Sequence, residues 1–170
     1  MLTTHDPNRR FTLDASPEGN PITALLRDHH LVRKLADRYL NSPSTEVRKQ
    51  AAVQLVQAVH NLERLKETVF YPAVRRVEPN LVAHLEEASL DVDDVLAALQ
   101  AMAPDDARAD ALVRELIAAV LHHMQDEETA LFPMLQHAAI DLSPVGLEMQ
   151  AFEANLVHMQ ARRSDRMTRR

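Results

Sequence analysis

The sequence has no cysteine, no tryptophan and only two glycines in 170 residues. Without cysteine, disulfides, thiolate metal sites and thiol nucleophiles are all excluded. So little glycine and so few aromatics are poor material for a turn-rich β fold. No uncharged stretch approaches the ~20 residues needed to span a bilayer. The first twenty residues carry His5, Asp6, Arg9, Arg10 and Asp14 where a signal peptide would have an apolar run, so a soluble, cytoplasmic protein is expected. There is no glycine-rich phosphate loop and no Ser-His-acid order stands out, so hydrolytic turnover finds no support. An excess of positive charge is missing as well. The net charge of −6 argues against nucleic acid, and Arg162, Arg163, Arg166, Arg169 and Arg170 read as a solvated tail.

What is present is helix-forming: Ala, Leu, Glu, Gln and Arg in a chain long enough for one domain with a substantial core. Asn20-Pro21 reads as an N-cap followed by proline at the first helical position. The stripe behind it, Leu25, His29, Val32, Ala36 and Tyr39, has a 3.6-residue period with a histidine inside it. Ser42-Pro43-Ser44 separates this helix from a second, expected to run to about Val74. A third opens near Pro79-Asn80 and carries Leu81, Leu85, Val92, Leu96 and Leu99. A fourth is expected from Ala103-Pro104-Asp105-Asp106, with the stripe Leu112, Leu116, Val120, His123, Glu127 and Leu131. Ser143-Pro144 caps a fifth, shorter helix that ends in the basic tail. Short connections imply antiparallel neighbours, hence an all-α, up-down-up-down four-helix bundle over 20–142. Residues 1–19 read as an irregular arm, and 143–170 as a short extra helix with its tail.

An internal repeat adds to this. Glu67-Thr68-Val69-Phe70-Tyr71-Pro72-Ala73-Val74 parallels Glu128-Thr129-Ala130-Leu131-Phe132-Pro133-Met134-Leu135, an offset of 128 − 67 = 61. Proline inside a helix removes a backbone bond and bends or ends it, so the second and fourth helices should bend alike. Two copies signify duplication within a bundle.

His123 and Glu127 lie four apart on one helical face, within an apolar stripe. Such a pair can chelate iron, manganese or zinc, or form a hydrogen-bonded core pair, and spacing leaves both readings open. His29 in its own stripe adds weight to metal.

These residues resemble a family. Asp28-His29 with Leu31 and Val32, Phe70-Tyr71-Pro72-Ala73-Val74, and His123-Met124-Gln125-Asp126-Glu127-Glu128-Thr129-Ala130-Leu131-Phe132-Pro133 are similar to the bacterial hemerythrin-like, or HHE cation-binding, domain. The resemblance spans roughly Pro21 to His137. It implies a bundle around a non-haem di-iron centre that binds dioxygen, or senses or handles oxygen species, nitric oxide or iron. The family draws one histidine from each of the first and third helices, and a His-x3-Glu pair from each of the second and fourth.

The repeat exposes a departure from that pattern. Subtracting 61 from His123 and Glu127 gives Leu62 and Lys66, and Ser89 stands where the third helix would carry its histidine. His60 and His84 lie ~140° around their helices from the vacant positions and should face away. His30, His122, His137 and His158 also fall outside the expected site. Glu63 is the best local carboxylate.

Two function classes follow. One is a metal-binding protein with a reduced site, a single iron or an incomplete di-iron centre held by His29, His123 and Glu127 plus water or Glu63, open to a small diatomic or peroxide ligand. The other is a metal-free bundle acting as a protein-interaction or regulatory module, with Lys66 paired to Glu127 in place of a cation. Neither reading calls for nucleic acid or a membrane, and the oligomeric state stays open.

Overall fold

The computed structural model describes residues 19–103 and 105–168. Of the arm expected over residues 1–19, all but Gly19 lies outside the described residues, as do the last two arginines.

Helix α1 (Pro21–Asn41) begins where Asn20 Oδ1 accepts the Ile22 amide at 2.9 Å. Its buried face is the expected stripe, Leu25, His29, Val32, Ala36 and Tyr39, joined by Leu35. Helix α2 (Thr45–Leu65) is capped by Ser44, whose hydroxyl accepts the Val47 amide. It continues through one π-helical turn, Lys66–Phe70, into the short α3, Tyr71–Val74. Helix α4 runs Pro79–Gln100. Helix α5 (Ala109–Asp126) continues through a second π turn, Glu127–Leu131, into α6, Phe132–His137. Helix α7 covers Ser143–Thr168.

The π turns are the bend that the two prolines foretell. In each, the amide of the residue before proline bonds five residues back, Tyr71 to the Lys66 carbonyl and Phe132 to that of Glu127. Proline donates nothing itself, so the ladder widens by one residue. Lys66 and Glu127 open the two π turns and point inward, both fully buried.

Helix α1 packs on α2, α4 on α5, α2 on α4 and α1 on α5, which closes the bundle. Val82, Leu85, Val92, Leu116, Val120 and Leu135 fill its centre. Three expectations need correction. The fourth helix starts at Ala109 and not at 103–106, because Asp106 takes the Arg108 amide at 2.9 Å and its guanidinium at 2.8 Å in a turn, leaving Asp110 in the first helical turn. Helix α4 buries Val82 and Ser89 more deeply than Leu81 or Leu99. The last helix is not short: at 26 residues it is the longest described element, and it takes Arg162, Arg163 and Arg166 into its final turns. It docks on α1, α2 and the first π turn. There Gly146 is essential to the approach, since a Cβ would stand 2.1 Å from the Gly19 carbonyl oxygen.

Candidate metal centre

Five side chains, each from a different element, meet in the interior: His29 (α1), Glu63 (α2), Lys66 (first π turn), His123 (α5) and Glu127 (second π turn), none more than 1% exposed. The four residues expected to ligate metal are therefore together. His60 is half-buried, and His30, His84, His122, His137 and His158 are exposed.

Lys66 stands at the centre of this group. Its ammonium lies 2.7 Å from Glu63 Oε1 and 3.2 Å from each Glu127 oxygen. Burial alone would push the lysine pKa down, but the two carboxylates outweigh burial and raise it. Glu127 shows the complement: burial would raise its carboxyl, yet Lys66 and His29 hold it down at about 2. Glu63 goes the other way. Its burial and the neighbouring Glu127 outweigh Lys66 and push it up, and neither of its oxygens has an aligned hydrogen-bond donor. One ammonium thus serves two buried carboxylates, Glu63 through one oxygen and Glu127 through both.

Tyr71 is the functional residue that sequence reasoning missed. Its hydroxyl donates to Glu127 Oε1 and lies 2.9 Å from His123 Nε2, while Ser89 Oγ lies 3.2 Å from the same nitrogen. Burial, then Lys66, lowers His123 to about 4, so the ring is neutral. With Tyr71 donating to Glu127, the consistent tautomer carries its proton on Nε2, directed at the tyrosine and serine oxygens, and leaves Nδ1 buried without a partner. A signal was present. Tyr71 matches Phe132 across the repeat, so a hydroxyl marks only one of the two halves.

His29 is arranged differently. Its Nδ1 lies 2.7 Å from Glu128 Oε1, and Glu128 is held ionised by a two-pronged bond to Arg33 at 2.8 and 3.0 Å. The Nδ1 proton therefore points at Glu128. Nε2 faces Glu127 Oε2 at 3.2 Å without an aligned hydrogen bond. A carboxylate orienting the far nitrogen is how ligating histidines are commonly held. Phe132 stacks on this ring at 5.7 Å.

A metal ion does not fit the donors as they stand. Among the described residues, no group of three or more histidine, aspartate or glutamate side chains is placed to hold one. The physical reason is local: the Lys66 ammonium sits between the carboxylates, and the Tyr71 and Ser89 hydroxyls face the His123 nitrogen. Leu62, where a ligand would be expected, is buried among apolar neighbours. No described helix is long and apolar enough to cross a membrane.

Comparison with known proteins supplies the family. No curated protein matches the chain. Among solved structures, it is similar to a hemerythrin HHE cation binding domain-containing protein from Mycobacterium kansasii, with a TM-score of 0.65 and 20% identity, over 79% of this chain and 86% of that one. That likeness shows the fold. The family model of the Hemerythrin HHE cation binding domain matches residues 20–143, most of the chain. The chain therefore belongs to the hemerythrin HHE cation binding domain family.

Proposed function

We propose that the protein is a hemerythrin-family bundle whose core cation is the ammonium of Lys66, and that it works in the cytoplasm as a metal-independent binding or regulatory module. The carrying observation is the ammonium within 2.7–3.2 Å of Glu63 and Glu127, all three side chains fully or almost fully buried. A fixed internal charge meets the need that a bound cation would meet, since isolated buried carboxylates are costly.

A second reading keeps the metal. A single iron ion would replace the ammonium and be held by His29, His123, Glu127 and Glu63. When bound, it would supply redox and Lewis-acid chemistry toward dioxygen, peroxide or nitric oxide. The orientation of His29 favours it: Glu128 and Arg33 fix Nδ1, and Nε2 is left facing Glu127. Tyr71 and Ser89 would then have to yield His123.

Metal content of protein expressed in iron-replete medium separates the two. The first reading expects far less than one iron per chain in the wild type. It also expects retained metal once Leu62→His, Lys66→Glu and Ser89→His restore the donors. One iron per wild-type chain that survives gel filtration against a chelator would overturn it in favour of the second.

A further inference from the structure

Helix α7 leaves the bundle before it ends. Its buried residues are Gly146 and Met149, and its furthest hydrogen bond back to the bundle is Gln160 Nε2 to Asn61 Oδ1 at 3.2 Å. The stretch beyond carries Arg162, Arg163 and Arg166, all exposed and without an ion pair among the described residues. Met159, 57% exposed, shares their face at helical spacing. A helical end with neither packing nor neutralised charge has little to hold it, because most helical stability comes from a buried face.

On the outside of α4 a second unpartnered stripe has the opposite sign. Glu87, Asp91 and Asp94 stand at i, i+4 and i+7, exposed and without an ion pair among the described residues. Leu90, 60% exposed, lies among them. The two stripes are opposite in charge, and each has exposed apolar side chains beside it, Met159 and Met167 on one and Leu90 on the other. The chain is also acidic overall at −6 despite its arginine-rich end, so the rest of the chain carries an acidic excess opposite in sign to that end.

We propose that the arginine face of α7 docks on the Glu87–Asp91–Asp94 face of α4 in a second copy of this chain. Reciprocal exchange uses each stripe once and closes as a two-fold dimer. Exposed pairs of this kind are individually weak and screened by salt, so the dimer should be modest in affinity and sensitive to ionic strength.

Sedimentation of the full chain at about 100 μM, in about 20 mM and then about 500 mM sodium chloride, tests this across the screening range. A dimer at low salt whose dissociation constant rises at least ~10-fold at high salt is expected. Arg162→Glu with Arg166→Glu should give a monomer at both salts, and adding Asp91→Arg with Asp94→Arg in the same chain should bring the dimer back. Both sets of substitutions are on exposed faces and leave the core intact. A wild-type monomer at low salt, or a dimer indifferent to the double reversal, overturns the proposal.

Discussion

Lys66 and Glu127 are the same position of the duplicated segment, 61 residues apart, and they are bound to each other at 3.2 Å in the centre of the bundle. Each opens a π turn, so the two turns bring equivalent backbone positions face to face. Where one half keeps a carboxylate and the other an ammonium, an ion pair is the direct result.

Removing one partner of that pair should be expensive. Lys66→Met leaves Glu127 buried among donors too few to hold it ionised, with Glu63 beside it. A loss of about 3 kcal/mol in urea unfolding is expected, mostly recovered when Glu127→Gln is added. A neutral Lys66→Met in iron-free protein would refute the ammonium as the core cation.

Tyr71→Phe makes the first half resemble the second, which has Phe132. It also takes a hydroxyl from both Glu127 and His123. The stranded polar atoms should cost about 1–3 kcal/mol by chemical denaturation. Recovery of stability in a Tyr71→Phe protein when iron is supplied would signal that the hydroxyl had been keeping a metal out.

Glu67 predicts the dependence on pH. Burial, then the adjoining Asp93, raises its carboxyl from 4.5 to about 7. The folded state therefore holds this proton more tightly than the unfolded one. The stabilisation is complete below about 4.5 and is lost as the pH rises through about 7. Glu67 is partly solvated, so screening reduces the effect to about 1 kcal/mol. Glu67→Gln should flatten the fall in melting temperature between pH 5 and 8, and an unchanged slope would assign the dependence elsewhere.

Gly146→Ala should destabilise, although alanine is the better helix former. Its Cβ would meet the Gly19 carbonyl at 2.1 Å, a backbone atom that cannot swing aside as a side chain can. The expected result is a lower melting temperature with faster proteolytic cleavage near residue 19. A stabilised variant would mean that this crossing is loose.

Much of this was legible in the sequence. The stripe of α1 and the 61-residue repeat place His29, His123 and Glu127 inside, because helical period and burial go together. The repeat also identified Leu62 and Lys66 as altered positions, and the stripe of the third helix identified Ser89. What it could not supply was direction within the core. Whether Lys66 would reach the carboxylates or extend toward water depends on the extra residue of the π turn, and π-type bonding has no periodicity of its own to read. Tyr71 was hidden for a related reason: a tyrosine in an apolar phrase looks like packing until a polar neighbour is found for its hydroxyl. The true start of α5 was lost to Asp106, whose side chain makes a turn where its charge suggested a helix end.

The paired π turns also carry a record of order in time. A π turn is a helix with one residue inserted, and the two halves hold the insertion at the same place, before the same proline. The economical history puts the insertion in the ancestral hairpin, ahead of its doubling. Deleting one residue within Lys66–Phe70 would then return that segment to an older, regular helix with both flanks still in phase. The same deletion within α2 would roll one flank by about 100° and turn its apolar face to water.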